Sequence, residues 1–157
     1  MGNLRSVEKA LEHVGAEAVV TNDHELIREA GGIVLPGVGA FPKAMGRIRA
    51  LGLDEVVGER RKAGVPLLGI CLGMQLLFDS SDELGGAEGL GLIAGPVERL
   101  GSNGLKLPQI GWNAVGWRSQ SALNAGLPDP VAFYHVHSFA PCPARTEDVL
   151  GTAEYGA

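Results

Sequence analysis

The sequence contains no long apolar run and few aromatic residues, and its basic residues are not clustered. A membrane-spanning helix needs about 20 consecutive apolar residues, and no stretch of the 157 residues approaches that length. Aromatic residues make up 5% of the chain, and the formal net charge is −5. Apart from Arg60, Arg61 and Lys62, which are typical of a solvated helix end, the basic residues are scattered. Neither a membrane-spanning protein nor a nucleic-acid partner is therefore expected.

Cysteine is also scarce, with Cys71 and Cys142 as the two examples. The amino terminus lacks the charged-then-apolar order of a secretory signal peptide, so we expect a cytoplasmic protein. One disulfide could join the two cysteines, but a cytosolic chain rarely keeps a disulfide. We therefore expect two free thiols.

Glycine is abundant, with 24 residues, and 45% of the chain is hydrophobic. This composition suits an α/β protein with many tight turns between strands and helices. Leu4, Val7, Leu11 and Val14 recur at three- and four-residue steps, and Gly15 follows at the position of a helix C-cap, which predicts a first helix. Because so few residues precede that helix, we expect the first strand of an α/β domain to be absent.

A single domain spanning residues 1–157 is predicted from the rest of the pattern. A chain of this length buries roughly 70% of its unfolded surface if it is complete. Strands are predicted at 17–21, 33–35 and 65–70, the last of them fully buried. Helices are predicted from Asn22 or Asp23 and at 42–50, 54–63, 72–78 and 121–125, with a polar loop at 80–89 and short β segments at 90–100, 106–117, 131–138 and 148–154.

A cysteine between two glycines is the sharpest feature of the sequence. Residues 69–73 read Gly-Ile-Cys-Leu-Gly and join a predicted strand to a predicted helix. In a nucleophile elbow the chain turns so sharply that the residues two positions before and after the nucleophile must lack side chains, as Gly69 and Gly73 do. At a helix start the dipole favours the thiolate of Cys71, which is the attacking species. An inert buried cysteine is the alternative, which the glycines at a strand-to-helix junction disfavour.

Cys142 has different surroundings. It lies between Pro141 and Pro143, with no elbow and no helix to lower its pKa. We assign it no role.

Two backbone regions are candidates to stabilise the oxyanion that forms when a nucleophile attacks a carbonyl. The elbow itself places the N–H of Leu72 beside Cys71. A second donor has to come from another loop, and residues 36–41, Pro-Gly-Val-Gly-Ala-Phe, follow a predicted strand with glycines that let amides point into a site. An ordinary Gly-Pro turn is the alternative there.

Several segments resemble the class I, or triad-type, glutamine amidotransferases and, more narrowly, the glutaminase subunits of imidazole glycerol phosphate synthase. They are MGNLRSV from Met1, PGVGAF from Pro36, GICLGMQLLF from Gly69, and PQIGWN from Pro108 followed by HVHSF from His135. The elbow is common to the whole class, whereas MGNLRSV, PGVGAF and GWN together are typical of this subunit. The similarity spans essentially the entire chain and implies an α/β, flavodoxin-like fold with a doubly wound, mostly parallel sheet and additional short β segments.

The resemblance implies a reaction and a partner. Cys71 would attack the side-chain amide carbon of glutamine, ammonia would leave, and water would hydrolyse the γ-glutamyl thioester to glutamate. In this family the ammonia passes to a cyclase subunit, a (β/α)8 barrel in a heterodimer, which makes imidazole glycerol phosphate in histidine biosynthesis. The glutaminase step needs neither a metal nor an organic cofactor.

The resemblance also assigns further site residues by position. The oxyanion donors would be the backbone amides of Leu72 and of Gly37 or Val38. The residues that bind the substrate would be Gln75, Glu83, Ser138 and Phe139. Glu83 would hold the ammonium of glutamine, since a zwitterionic ligand requires an anion at that end. Without the resemblance, Glu83 is typical of a solvated loop acid.

Two aromatic residues are assigned to the partner surface in the same way. Trp112 and Tyr134 would line the subunit interface near the path of the ammonia. On their own they would be interpreted as core or rim aromatics.

The resemblance fails at the catalytic base. Members of the class finish the site with a His-Pro-Glu segment on a late strand, and no H-x-E occurs in this sequence. We therefore expect an incomplete domain that lacks the catalytic His and Glu. The histidines present are His13, His24, His135 and His137. Pairing Cys71 with His137, which belongs to the substrate-side strand in the family, is the alternative.

Three other functions stay open. The chain could be an inactive module that docks on the cyclase without hydrolysing glutamine, although it retains the whole elbow. It could be the glutaminase subunit of anthranilate or pyridoxal phosphate synthesis, which MGNLRSV and GWN disfavour. It could also be a cysteine hydrolase of similar fold that acts on another substrate.

Overall fold

The first half of the chain alternates helices with two parallel strands. The computed structural model describes residues 4–101 and 103–156. The elements of this half are α1 (Leu4–His13), α2 (His24–Glu29), β1 (Ile33–Gly37), α3 (Phe41–Ala50), α4 (Leu53–Lys62), β2 (Leu67–Cys71) and α5 (Leu72–Gln75). β1 and β2 pair in parallel, with Gly37 opposite Cys71. The loop after β1 and the turn after β2 therefore meet at one edge, where sites in parallel sheets are usually built.

The second half consists of short strands in two further sheets. They are β3 (Phe78–Ser81), β4 (Ala87–Glu88), β5 (Ile93–Arg99), β6 (Gln109–Trp117), β7 (Val131–His137), β8 (Phe139–Pro141) and β9 (Gly151–Thr152). One sheet has the order β4-β3-β5-β8, in which β3 and β5 are parallel, and the other has the order β7-β6-β9 and is antiparallel. The predicted α/β class and the short β segments expected from residue 90 onwards are confirmed, whereas β3, β4 and β8 were not predicted.

The predicted helices of the first half are confirmed at α1 to α4. The C-terminal turn of α1 is followed by Gly15 at a φ of 88°, which only glycine adopts without strain. α2 begins after Asp23, whose carboxylate accepts the backbone N–H groups of Glu25 and Leu26. In the last turn of α4, Arg60 is not simply solvated, because its guanidinium donates to the carbonyl of Ala30 at 3.0 Å.

The predicted strand at residues 17–21 is wrong, because this segment forms no regular secondary structure. A strand needs a neighbour that accepts its backbone hydrogen bonds. Here a cavity of about 1180 Å³ lies among α1, residues 16–21 and the two strands of the parallel pair. Val19 and Val20 consequently stay 73% and 52% exposed despite their apolar side chains.

β2 forms as predicted, but the expectation that it is fully buried is wrong. Leu67 and Gly69 are half-buried, whereas Leu68, Ile70 and Cys71 are exposed. A two-stranded sheet offers too little surface to cover every strand residue, and Leu68 lines the same cavity. The strand still holds its register with β1, which is what places the turn at Cys71.

The helix predicted at 72–78 is shorter than expected. α5 ends at Gln75, and Phe78 already belongs to β3. The carbonyls of Leu76 and Leu77 accept the backbone N–H groups of Leu90 and Leu92 at 2.9 and 2.8 Å, so bonds to a distant segment replace helix continuation. The loop at 80–89 likewise contains the two residues of β4.

The helix predicted at 121–125 is wrong, because these residues form a turn. Asn124 is buried, and its side-chain oxygen accepts the backbone N–H of Ser121 at 2.8 Å while its amide donates to the carbonyl of Ser119 at 2.8 Å. Asparagine side chains commonly replace helical backbone bonds in this way.

Of the helices in the described part of the chain, none combines the length and the apolar character that a membrane span requires.

The hydrophobic core lies between α3, α5 and the sheet that contains β3 and β5. It comprises Phe41, Met45, Ile48, Leu72, Leu76, Phe78 and Val97. Each fully buried side chain of this size contributes roughly 1.5–3 kcal/mol. Since Leu72 begins α5 and Leu76 directly follows it, core packing holds the helix that comes immediately after Cys71.

Candidate active site

Cys71 occupies a strained backbone position at the end of β2. Its φ of 56° and ψ of −121° are conformations that side-chain-bearing residues rarely adopt. The chain reverses there from β2 directly into α5. This is the geometry of a nucleophile elbow, which presents a reactive side chain at the edge of a sheet.

The two glycines around Cys71 are required by space. A Cβ on Gly69 would lie 2.4 Å from Cα of Met74, and a Cβ on Gly73 would lie 1.7 Å from the carbonyl oxygen of Leu35. Both contacts are with backbone and far inside van der Waals distance. The predicted steric reason for the G-x-C-x-G pattern is thereby confirmed.

The thiol of Cys71 is exposed and free. Its Sγ has no hydrogen-bond partner among the described residues. α5 has only four residues, so the helix dipole that was expected to favour the thiolate comes from the backbone amides of a single turn. A ligand that approaches Cys71 therefore meets an open sulfur beside the backbone N–H groups of residues 72–74.

The loop after β1 lies directly against the elbow. A Cβ on Gly37 would come within 3.0 Å of the backbone nitrogen of Gly73 and 3.1 Å of Cβ of Leu72. Val38 is exposed, and Gly39 has a φ of 103°. The structure therefore brings together the loop at 37–40 and Leu72, the segments predicted to supply oxyanion donors, while the donor roles themselves stay predictions.

Glu83 reaches the same region from the other half of the chain. Its carboxylate Oε2 accepts the backbone N–H of Phe41, the first residue of α3, at 2.7 Å. The residue is half-buried, so the interpretation of Glu83 as a solvated loop acid is wrong. Its carboxylate stands at the amino end of α3, where a negative charge is favourable.

Gln75, His137 and Phe139 meet at one carbonyl. The side-chain amide of Gln75 donates to the backbone oxygen of Phe139 at 3.0 Å, and Nδ1 of His137 lies 2.8 Å from the same oxygen. Because a carbonyl only accepts, Nδ1 of His137 carries the proton. Ser138 is adjacent, and its carbonyl accepts the N–H of Leu100 at 2.9 Å. The predicted substrate-binding residues Gln75, Ser138 and Phe139 are thus neighbours.

The alternative pairing of Cys71 with His137 gains no support from the hydrogen bonds. His137 uses Nδ1 on Phe139, His135 places its Nδ1 3.1 Å from the carbonyl of Phe133, and His24 contacts the carbonyl of Leu51 at 2.8 Å. None of the four histidines, all of which lie in the described residues, bonds to the sulfur of Cys71.

Cys142 is also free, which confirms the expectation of two free thiols. Partial burial and the nearby carboxylate of Glu98, 3.8 Å from Sγ, raise the pKa of the Cys142 thiol. A raised pKa reduces the reactive thiolate fraction. Its surroundings therefore differ in kind from the open elbow at Cys71.

Comparison with known proteins decides the family. The sequence profile described as glutamine amidotransferase class-I matches residues 1–154. The chain belongs to this family. Imidazole glycerol phosphate synthase subunit HisH of Moorella thermoacetica is 49% identical over 156 residues, which are 99% of this chain and 74% of that protein. The subunit of the same description from Dehalococcoides mccartyi is 44% identical over 155 residues, 99% of this chain and 75% of that protein.

A solved structure agrees with the family at the level of the fold. A crystal structure of a glutamine amidotransferase superposes with a TM-score of 0.68, covers 99% of this chain and 81% of its own, and shares 20% sequence identity. At that identity the likeness concerns the fold alone. As a member of the family, this chain is a glutamine amidotransferase of the class-I fold.

The two aromatic residues predicted for a family interface lie together on the hairpin of β6 and β7. Trp112 and Tyr134 are opposite each other in the register, with ring centroids 5.6 Å apart in an edge-to-face arrangement. Ile110 and Val136 form the next pair on the same face. All four side chains are more than half exposed, so the alternative of a core position is wrong.

Sequence reasoning missed the contacts that organise the site. The bond from Phe41 to Glu83 joins residues 42 positions apart, and the bond from Gln75 to Phe139 joins residues 64 positions apart. No local sequence pattern predicts either contact.

Among the residues that the structure describes, no cluster of three or more His, Cys, Asp or Glu side chains is arranged to hold a metal ion.

Proposed function

We propose that the chain is the glutaminase subunit of an imidazole glycerol phosphate synthase in histidine biosynthesis, with Cys71 as its nucleophile. The observation that carries the proposal is the strained backbone of Cys71 between two glycines that leave no room for a side chain. The relatives described as HisH subunits, 44–49% identical over 99% of the chain, support the choice of pathway.

The reaction is an amide hydrolysis through a thioester. The thiolate of Cys71 attacks the side-chain carbonyl carbon of glutamine, and the carbonyl oxygen becomes an oxyanion. Backbone amides of Leu72 and of Gly37 or Val38 are proposed to donate to that oxyanion. As the C–N bond breaks, the leaving nitrogen takes a proton from water and departs as ammonia, which leaves the γ-glutamyl thioester and hydroxide. Hydroxide then attacks the thioester, which gives glutamate and the free thiol. Even an unassisted cysteine is a few per cent thiolate at neutral pH.

Recognition of glutamine is proposed to use residues from both halves of the chain. Glu83 holds the ammonium group, while Gln75, Ser138 and Phe139 surround the amino-acid end of the substrate. The bond from Gln75 to the carbonyl of Phe139 fixes the Gln75 side chain before substrate arrives, which reduces the entropy that binding has to offset.

The partner is proposed to be a cyclase subunit with a (β/α)8 barrel, joined to this chain in a cytoplasmic heterodimer. The β6–β7 hairpin presents the surface for it, because Ile110, Trp112, Tyr134 and Val136 form a contiguous exposed apolar face. Such faces mark protein interfaces, in which Trp and Tyr dominate the binding energy. The path of the ammonia released at Cys71 is proposed to lie near this interface, and neither a metal nor an organic cofactor takes part in the glutaminase step.

Active-site labelling tests the proposal. The chain is treated with an electrophilic glutamine analogue, with and without excess glutamine, and the adduct is located by peptide mass spectrometry. We expect an adduct on Cys71 that glutamine suppresses, and none on Cys142, because the pKa of that thiol is raised. Cys71→Ser should abolish labelling and Cys142→Ser should leave it unchanged. Equal labelling of both cysteines, or labelling that glutamine does not suppress, would refute a glutamine site at the elbow.

A further inference from the structure

We propose that Glu83 is a positioning residue that couples the glutamine pocket to the oxyanion loop, residues 37–40. The inference rests on the proposed function for its ligand, glutamine. The bond of 2.7 Å from the N–H of Phe41 to Oε2 of Glu83 is its starting point. Glu83 thus contacts the residue that directly follows the loop.

The carboxylate of Glu83 replaces a helix cap that α3 does not have. The N-cap residue, Ala40, makes no side-chain cap bond, and the second helical residue, Pro42, has no N–H. The N–H of Phe41 has no acceptor within the helix. An N–H bond to a carboxylate at a helix start is strong, because the dipole and the charge act together.

This bond holds the second end of a loop that is already held at the first. Gly37 pairs with Cys71 in the parallel ladder and lies against Gly73. Phe41 is completely buried in the core, and Glu83 fixes its amide. The three residues between them, of which Val38 is a proposed oxyanion donor, therefore depend on Glu83 for the direction in which the chain leaves the loop.

Glu83 is itself held in place by short-range bonds. Its N–H donates to Oγ of the buried Ser81 at 3.2 Å, and its carbonyl accepts the N–H of Gly86 at 3.0 Å. Within the described residues, Oε1 has no hydrogen-bond partner. One carboxylate oxygen is thus used on the loop side, and the proposal assigns the other oxygen to the substrate ammonium. By linkage, glutamine bound at Oε1 restrains the loop, and a restrained loop binds glutamine more tightly.

Amide hydrogen exchange measured by NMR tests the first part of this coupling. Without ligand, we expect amide exchange at Phe41 to accelerate on the order of tenfold in Glu83→Ala, because the variant loses a charge-assisted hydrogen bond. Glu83→Gln keeps an acceptor oxygen and should exchange more slowly than Glu83→Ala. Asp82→Asn, which removes the exposed neighbouring acid, should exchange like the wild type. Unchanged exchange at Phe41 in Glu83→Ala would overturn the proposal.

Glutamine added to the same samples tests the second part. We expect slower exchange at Val38, Gly39 and Phe41 in the wild type and in Asp82→Asn, but not in Glu83→Ala. A role limited to folding stability would not make protection of the loop depend on glutamine. Glutamine-induced signal changes at Gln75 and Ser138 without slower exchange in the loop would overturn the coupling alone. No signal change at all would overturn both the coupling and the proposed function.

Discussion

The elbow and the β6–β7 hairpin differ in whether contacts within this chain bury their side chains. At the elbow, Gly73 lies against the backbone of Leu35, and Leu72 and Leu76 are buried in the core. On the hairpin, Trp112 is 74% exposed. The contacts that fix the first region come from within the chain, whereas the second region offers a large apolar area that nothing in the described chain covers.

This difference distinguishes residues that the fold requires from residues that a complex requires. Residues of the elbow are constrained by the fold, because a sharp turn is possible only where glycines allow two backbone segments to meet. The large side chains of the hairpin face contribute little to folding, since burial in the chain is what gives apolar side chains their stabilising effect. We infer that the geometry at Cys71 is a property of this chain, and that the hairpin face acts in a complex.

A methyl group at Gly73 gives the largest expected effect. The Cβ of Gly73→Ala would lie 1.7 Å from the carbonyl oxygen of Leu35, so the elbow has to open. We expect a loss of at least about 3 kcal/mol in the free energy of unfolding, at the upper end of overpacking effects. Urea denaturation monitored by circular dichroism measures it.

Gly46→Ala is the matched control. Gly46 lies inside α3, and a Cβ there would meet nothing within 4 Å. The same chemical change should therefore raise stability by about 0.5–1 kcal/mol, because alanine is the better helix former. Equal stability of the two variants would contradict the view that the elbow is fixed by contacts inside the chain.

Substitution of Trp112 should weaken binding of the partner strongly and change the stability of the free chain little. Trp112→Ala removes one edge-to-face contact with Tyr134, so we expect the free energy of unfolding to fall by less than about 1.5 kcal/mol. Affinity for the cyclase subunit should fall about 30-fold or more, as for a central aromatic anchor. Calorimetry of the complex and denaturation of the free chain give the two numbers.

Trp117 provides the comparison on the opposite face of the same hairpin. Its ring packs edge-on against Phe133, and its Nε1–H donates to the carbonyl of Pro128 at 2.9 Å. Trp117→Ala should destabilise the chain more than Trp112→Ala and weaken binding less. The reverse order would show that the exposed face is not the interface.

Local steric chemistry was the part of the site that could be predicted from the sequence. The spacing of Gly69, Cys71 and Gly73 was enough to predict the elbow, and the structure agrees with it. The capping of α2 by Asp23 is local in the same sense. At Gly69, which faces Met74, and at Asp23 the interacting atoms are within five residues of one another in the chain, whereas Gly73 meets the distant Leu35.

Features that depend on distant partners could not be predicted in this way. The apolar segment at 17–21 has the composition of a strand, but pairing depends on a neighbour that no local pattern reveals. The helix after Cys71 ends early because Leu90 and Leu92 capture the carbonyls of its continuation. The cap that Glu83 provides for α3 arises from the meeting of two halves of the fold.

The smallest effect is expected at His135, on the face of the hairpin opposite Trp112. Partial burial and the neighbouring His137 hold the pKa of His135 below its usual value of 6.5. The folded chain therefore binds fewer protons than the unfolded chain as pH falls below about 6.5, so stability is lost across that window and is fully present above it. Thermal unfolding at about pH 7.5 and about pH 5.5 should show this loss, and His135→Gln should reduce it. His13→Gln, which removes a histidine at the far end of α1, should leave it in place; an equal reduction in both variants would assign the loss elsewhere.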